Sequence, residues 1–189
     1  MSEIPNGETE EEVVKLEGKQ SALTNQANVA IGRLLRAGSE EEAKTCLYEY
    51  LFILKATEQV TISLGRLLGE YEFGDEEFRG DTLKRLDYCD ELVRDGDWTV
   101  LKGVFYGATC RTYGDLVRLG IIGSFSKNLG FDEDFTYEGI PFMQSSVLIP
   151  VEWQVNRFEL FVVRQLALIP DKTEPWEHPN IEELKASIS

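Results

Sequence analysis

Hydrophobic residues recur at alternating intervals of three and four along the first part of the chain. From Val13 the apolar series continues through positions 16, 23, 27, 30 and 34, and Gln20 is its one polar member. This spacing places the side chains on one stripe of an α-helix. Gly38 is expected to end that helix in the left-handed conformation, and Ser39 with Glu42 forms a capping box that begins the next one. A connection this short predicts an antiparallel helical hairpin.

Four further segments show helical periodicity. The second helix is apolar over so much of its circumference that it is expected at the centre of a bundle. Gly96 ends the third helix and Asp97 caps the fourth. Pro150 opens the fifth, whose apolar run would also suit a β-strand. The predicted spans of the second to fifth helices are 40–68, 81–95, 98–119 and 151–169.

The remaining segments lack a helical pattern. Residues 121–150 are divided by glycines and prolines and hold either a small β-hairpin or an irregular loop. Residues 1–10 are expected to be a disordered acidic tail, and 171–189 an extended tail in which Asn180 could start a short helix. The sequence therefore predicts an all-α bundle of about five main helices in a single domain, 11–170.

Composition and charge narrow the function classes. The chain has 189 residues, 42% of them hydrophobic, and a net charge of −15, which suits one globular domain. The negative charge opposes binding to nucleic-acid phosphates and to anionic membranes. No apolar run approaches the roughly 20 residues of a membrane-spanning helix, and the acidic N-terminus lacks the basic start of a secretory signal. We therefore expect a cytoplasmic protein that contacts neither membranes nor nucleic acid directly.

Residues of the types that hold metals or carry catalysis are few. Cys46, Cys89 and Cys110 are widely spaced, and His178 is the only histidine. A closed zinc site needs four such ligands, and a di-iron bundle needs Glu-x-x-His motifs. The sequence also lacks phosphate-binding glycine loops and the common hydrolase and metalloprotease motifs. It therefore predicts no metal site, no cofactor and no enzymatic activity.

The densest run of charge is the segment YCDELVRDGDW at 88–98. On a helical wheel, four carboxylates lie opposite the apolar positions, and Arg94 is placed to pair with Asp90 one turn away. Carboxylates that share a metal or a proton instead converge in a cleft. A solvated face is favoured, with a cation site and a partner-binding acidic face as alternatives. The four carboxylates are Asp87, Asp90, Glu91 and Asp95.

Two polar residues interrupt the apolar stripes of the first two helices. Gln20 lies 18 residues before Gly38, and Glu58 lies 20 residues after it. In an antiparallel hairpin these positions come level, which predicts a buried contact between Gln20 and Glu58. The pair either fixes the register of the two helices or lines an internal ligand pocket.

The fourth helix carries two arginines on one side. Arg111 and Arg118 are separated by two turns, with Asp115 between them. An internal ladder of salt bridges explains this arrangement most simply. The alternative is an anion-binding patch formed by Arg111, Arg118 and Lys127, which could hold a phosphorylated substrate.

Two features of the fourth and fifth helices concern packing. Gly103 and Gly107 are four residues apart, a spacing that predicts close contact with another helix. The run FELFVV at 158–163 is apolar on more than one helical face. A surface of this kind predicts a covering partner or self-association.

Aromatic side chains accumulate in the segment before the fifth helix. Loops of this composition are either pinned to the core or present aromatic and Met side chains to a partner. Trp176, in the proline-bounded tail, is a second candidate anchor, and His178 beside it is expected to be exposed. The interaction candidates are Phe131, Phe135, Tyr137, Phe142, Met143 and Trp176.

Three functions remain open. The first is a small acidic interaction module, such as an adaptor, regulator or assembly subunit, with a protein partner or a second copy of itself. The second is an acidic mimic of nucleic acid that inhibits a basic nuclease or defence effector. The third is a divalent-cation-dependent carboxylate enzyme acting on a phosphorylated substrate. Absent catalytic motifs favour the first.

Overall fold

The computed structural model is an α-helical bundle, as the sequence predicts. The described residues are 7–71, 74–118, 136–137, 140–141 and 151–189. Their helices are α1 (Gly7–Leu35), α2 (Glu40–Leu68), α3 (Glu76–Arg94), α4 (Thr99–Arg118), α5 (Val151–Leu166) and α6 (Ile181–Ile188). None of the described helices is both long and apolar enough to span a membrane.

Helices α1 and α2 form the predicted antiparallel hairpin. Ser39 caps α2 by accepting a hydrogen bond from the Glu42 N–H at 3.2 Å, and the Glu42 carboxylate accepts from the Gly38 N–H at 2.8 Å. The expected left-handed conformation of Gly38 is wrong, since positive φ occurs at Gly69, Gly74 and Gly96 but not there. Two tight-turn hydrogen bonds, from Arg36 and Ala37, close α1 instead.

Two helix starts differ from the prediction. Helix α1 begins at Gly7, so positions 7–10 of the expected tail are helical. Helix α3 begins at Glu76, five residues before the predicted start, because Asp75 accepts a hydrogen bond from the Phe78 N–H at 2.9 Å. Gly80 lies in the second turn of α3, where a glycine lowers the helix propensity, so the sequence pattern did not indicate the earlier start. The capping hydrogen bond at Asp75 stabilises the helix despite this glycine.

The sequence left segment 151–169 open between helix and strand. The structure shows a helix there, α5, over Val151–Leu166. Within 121–150, only Thr136–Tyr137 and Ile140–Pro141 are described, and these pair antiparallel over two residues each. That short pairing does not establish the predicted β-hairpin insertion, and the remainder of the segment lies outside the described residues.

Helix α2 lies at the centre and contacts α1, α3, α4 and α6. The core continues to the α4–α5 pair, where the rings of Tyr113 and Phe158 stack with centroids 4.0 Å apart. Tyr50 of α2 meets Phe105 of α4 edge to face at 5.2 Å. Large aromatic surfaces buried in this way dominate the stabilisation of a small core.

Residues 170–180, which we call the C-terminal strap, bind across the junction of α3 and α4. The Trp98 N–H donates to the Asp171 carbonyl at 2.9 Å, and the Thr173 N–H donates to the Gly96 carbonyl at 2.8 Å. Gly96 has φ +73°, and a Cβ there would lie 2.2 Å from the Thr173 carbonyl oxygen. Glycine is therefore required both by the backbone conformation and by the close approach of the strap.

We predict that Gly96→Ala lowers the free energy of unfolding by more than about 2 kcal/mol. Roughly 1–2 kcal/mol comes from the left-handed backbone, and the rest from displacement of the strap. Urea denaturation followed by circular dichroism measures the change.

The matched control is Gly80→Ala, within α3, where a Cβ meets no atom within 4 Å. Helix propensity alone is then expected to raise the stability by about 0.5–1 kcal/mol. Equal shifts for the two variants would show that the strap does not constrain Gly96.

Candidate functional site

Most residues of the predicted interaction loop fall outside the described structure. The backbone of Tyr137 is described in a two-residue strand, and its side chain is not. The remaining loop candidates stay predictions because they lie outside the described residues. They are Phe131, Phe135, Phe142 and Met143.

The predicted anion patch is also untested. Arg111 and Arg118 belong to α4, but their side chains are not among those described, and Lys127 lies outside the described residues. Among the described residues, His, Cys, Asp and Glu side chains form no group of three or more that could hold a metal ion.

Trp176, predicted as a candidate anchor for a partner, is buried at 9% exposure and packs within its own chain. Its ring meets Tyr48 at 5.7 Å and Trp98 at 5.4 Å, both edge to face. Its Nε1–H donates to the Glu41 carboxylate at 2.9 Å. Its aromatic partners are distant in the sequence, so no local pattern indicated these contacts. Trp176 anchors the strap to α2 and α4.

His178 is likewise buried, at 5% exposure, and not exposed as expected. Its Nδ1 accepts the Asn180 backbone N–H at 3.1 Å, so the proton resides on Nε2, which faces the Glu49 carboxylate at 3.1 Å. Glu49 also pairs with Arg33 of α1 at 2.5 Å. Because both ring nitrogens are engaged in hydrogen bonds, His178 holds the strap in place.

The burial of Glu58 is confirmed, but its predicted contact with Gln20 is wrong. Glu58 accepts two hydrogen bonds from Arg79 of α3, at 2.9 and 3.2 Å. Gln20 donates to the Thr61 hydroxyl at 3.0 Å, about one turn along α2. Helical periodicity located the buried carboxylate correctly, but a guanidinium satisfies it better than a neutral amide does.

The carboxylate run on α3 divides into two parts. Glu91 and Asp95 are exposed, as a solvated face requires. Asp87 and Asp90 instead flank the ammonium group of Lys55 on α2, at 2.5 and 3.0 Å. Arg94 does not pair with the Asp90 carboxylate, since its Nε donates to the Asp90 carbonyl at 3.3 Å. The edge of this face is therefore a helix-packing contact.

An exposed apolar surface lies on the outer side of α4 and α5. We call it the α4–α5 face and define it by Val100, Gly103, Gly107, Leu160 and Val163. The three large side chains are 45%, 56% and 52% exposed, in that order, and a Cβ on either glycine would meet nothing within 4 Å. The predicted close packing at these glycines is therefore not made by the described part of the chain.

The two halves of this face adjoin each other. Burial raises the pKa of Tyr106 and of Cys110 on α4, and the negative charge of Glu159 on α5 raises both pKa values further. Glu159 therefore marks the side of α5 that flanks α4. Val163 follows Glu159 by one turn, and Gly107 is three residues from Cys110 on the same side of α4. The sequence signal for this surface was the two-sided apolar run at 158–163.

Comparison with protein-family models, with curated proteins and with solved structures finds no match to this chain. Among the described residues, Val14, Val29, Leu68 and Phe78 are also half or more exposed. The α4–α5 face differs in that its exposed apolar side chains lie on two neighbouring helices, beside two glycines with open space.

We predict that Arg79→Leu lowers the free energy of unfolding by about 3 kcal/mol, because it leaves the Glu58 carboxylate buried without its counter-ion. Replacing Glu58 by Leu as well is expected to recover most of the loss. Urea denaturation of the single and double variants measures this coupling.

The control is Arg66→Leu, which removes an exposed ion pair with Glu76. We expect no measurable change there, because solvent screens that pair. A double variant as unstable as Arg79→Leu would contradict the burial of an unpaired charge as the cause.

We also predict a loss of stability at alkaline pH. Burial raises the pKa of Cys46 and of Cys110 to about 11, whereas an unfolded cysteine ionises near about 8.5. Between these values the folded chain binds more protons than the unfolded chain, so the free energy of unfolding falls as pH rises. Each pKa unit of difference is worth about 1.4 kcal/mol per thiol.

Urea midpoints at pH 7, 9 and 10.5 check this slope. The Cys46→Ala/Cys110→Ala variant should reduce the slope, and Cys89, whose pKa burial also raises, accounts for part of the remainder. The native thiols are also expected to resist a disulfide reagent until the protein unfolds. A constant midpoint up to pH 10.5 would show that the thiols ionise in the folded state.

Proposed function

We propose that the protein is a non-catalytic interaction module that binds a helix of a partner protein at the α4–α5 face. The observation that carries the proposal is the two-sided apolar surface of α5. Phe158, Phe161 and Val162 face the core, while Leu160 and Val163 are more than half exposed on the other side. Contiguous exposed apolar surface next to a second helix is typical of protein-binding sites.

The glycines on α4 favour a helix as the bound element. Gly103 and Gly107 leave a shallow, open strip between the larger side chains of the two helices. Small residues spaced one turn apart let the backbone of another helix approach closely. A partner helix would then insert its apolar side chains over the glycines and against Leu160 and Val163.

The charge of the chain disfavours self-association. A net charge of −15 repels a second copy of this chain. The partner is therefore proposed to be a different protein.

The described titratable residues support a role without catalysis. Both nitrogens of His178 are engaged, and burial raises the pKa of the Cys46 and Cys110 thiols to about 11, which suppresses the nucleophilic thiolate at neutral pH. The three cysteines are free and buried. Unpaired thiols suit a reducing compartment such as the cytoplasm.

A second candidate function is favoured by the outer face of α3. Glu77, Asp81, Glu91 and Asp95 are exposed on one stripe, at helical intervals, and span about 27 Å. The stripe also carries one cation, Lys84, which pairs with Asp81 at 3.0 Å. Tyr88, 54% exposed, lies within the same stripe. This surface favours the acidic-mimic function, because a row of carboxylates around an exposed ring fits the basic groove in which another protein holds nucleic acid.

We predict that Gly107→Leu raises the stability of the protein and weakens partner binding. The site has open space, so the leucine is expected to gain roughly 0.5–1 kcal/mol from helix propensity. On the α4–α5 face the same side chain blocks the partner helix and weakens binding at least about tenfold. Pull-down with the tagged full chain, then titration of the purified partner, measures binding.

Gly18→Leu is the matched control, since a Cβ there also meets nothing within 4 Å but lies on α1. It should raise stability without changing binding. Equal binding by both variants would reject the α4–α5 face. A basic partner that is unaffected by Gly107→Leu and released by high salt would instead support the acidic-mimic function.

A further inference from the structure

Helix α6 lies over a groove between α1 and α2. The floor of this groove is apolar and buried, and is formed by Ala30 of α1 with Ile53, Ala56 and Val60 of α2. Two side chains of α1 hold the end of α6, since Gln26 donates to the Ser187 carbonyl at 3.3 Å and Lys19 donates to the Ser189 carbonyl at 3.2 Å. Both bonds are exposed to solvent.

Few side chains fasten α6 to the groove. Leu184 is its only buried residue, Ile188 is half-buried and packs against the core, Ile181 is half-buried, and the other five residues are exposed. Asn180 precedes the helix without a side-chain capping hydrogen bond. An isolated helix of eight residues does not persist in water, so α6 depends on these contacts for its structure.

Helix α6 does not fill the groove. Open clefts of about 620, 610 and 430 Å³ border the helix on its different sides. The first lies against α1 and reaches Leu184, the second lies against α3 and reaches Ile181, and the third reaches Ile188. A longer helix, or one with larger apolar side chains, would cover more of the groove than α6 does.

The strap that leads to α6 is held far more firmly. Trp176 is packed between two aromatic rings, and His178 bridges Glu49 to the Asn180 backbone. Pro179 separates these anchors from the start of the helix. The chain can therefore release α6 after residue 180 while the strap stays bound.

We infer that the groove between α1 and α2 is a helix-binding site that α6 occupies in cis and vacates for a partner helix. The partner would be amphipathic, with apolar side chains at the spacing of Ile181, Leu184 and Ile188, that is i, i+3 and i+7. The partner would also carry an acidic residue directly before its central apolar residue, at the position that Glu183 holds in α6. Glu183 shares the first cleft with Arg33. This site is separate from the α4–α5 face and does not depend on it.

Release of α6 is measurable in the unaltered full chain. Hydrogen exchange followed by mass spectrometry should show residues 181–188 exchanging through local opening, at least about a hundredfold faster than the buried turns of α2 around Leu47 and Leu51. Exchange of 181–188 only through global unfolding would overturn the inference, because α6 would then be a permanent part of the core.

Occupancy of the groove is tested with a labelled synthetic peptide of residues 179–189 added to the full chain. The Leu184→Asp variant removes the anchor of the cis helix and should bind the peptide roughly tenfold tighter than the unaltered chain. Ala186→Asp places the same charge on the exposed side of α6 and should bind as the unaltered chain does. Circular dichroism and the melting temperature confirm that both variants are folded.

Three results would overturn the inference. One is failure of the folded Leu184→Asp variant to bind the peptide. Another is equal affinity for the Leu184→Asp and Ala186→Asp variants. The third is a concentration-dependent dimer of the unaltered chain that dissociates on Leu184→Asp, since this would assign the groove to a second copy. Gly107→Leu should leave peptide binding unchanged, which separates this test from that of the α4–α5 face.

Discussion

The central position of α2 is the constraint on which the rest of the structure depends. A helix enclosed by four others and the strap has to satisfy its charged side chains within the bundle, because an unpaired buried charge costs several kcal/mol. Helices α1 and α3 and the strap supply these partners, so the charges on α2 help to select where each of the three docks. The pairs are Glu41 with Trp176, Glu49 with Arg33 and His178, Lys55 with Asp87 and Asp90, and Glu58 with Arg79.

The sequence predicted features that depend on local interactions and missed those that depend on distant ones. The capping box at Ser39, the span of α2 and the burial of Glu58 follow from neighbours within two or three turns. The partner of Glu58 does not, because the position of Arg79 is set by a connector whose path the pattern leaves open. The burial of Trp176 and His178 was missed for the same reason, since it requires Tyr48 and Trp98, at least 78 residues away in the sequence.

The candidate surfaces were predictable to different degrees. The two-sided run at 158–163 indicated an exposed apolar face on α5, and the structure leaves Leu160 and Val163 uncovered. The glycines of α4 were recognised as a packing motif, but periodicity alone cannot say whether such a strip faces a helix of its own chain or another molecule. The groove beneath α6 had no sequence signal, because its floor has the same apolar spacing as an ordinary core.

The two proposed surfaces differ in the physical basis of their binding. The α4–α5 face is open, so a partner pays no cost to reach it, and the charge of the chain acts mainly on the association rate. The groove is occupied, so the apparent affinity of any partner is lowered in proportion to the fraction of time for which the groove is vacant. The anchors at Trp176 and His178 keep the vacant fraction low, because they hold α6 near the groove at a high effective concentration after each opening. A partner of the groove must therefore bury more apolar surface than α6 does, which is what the open clefts around α6 allow.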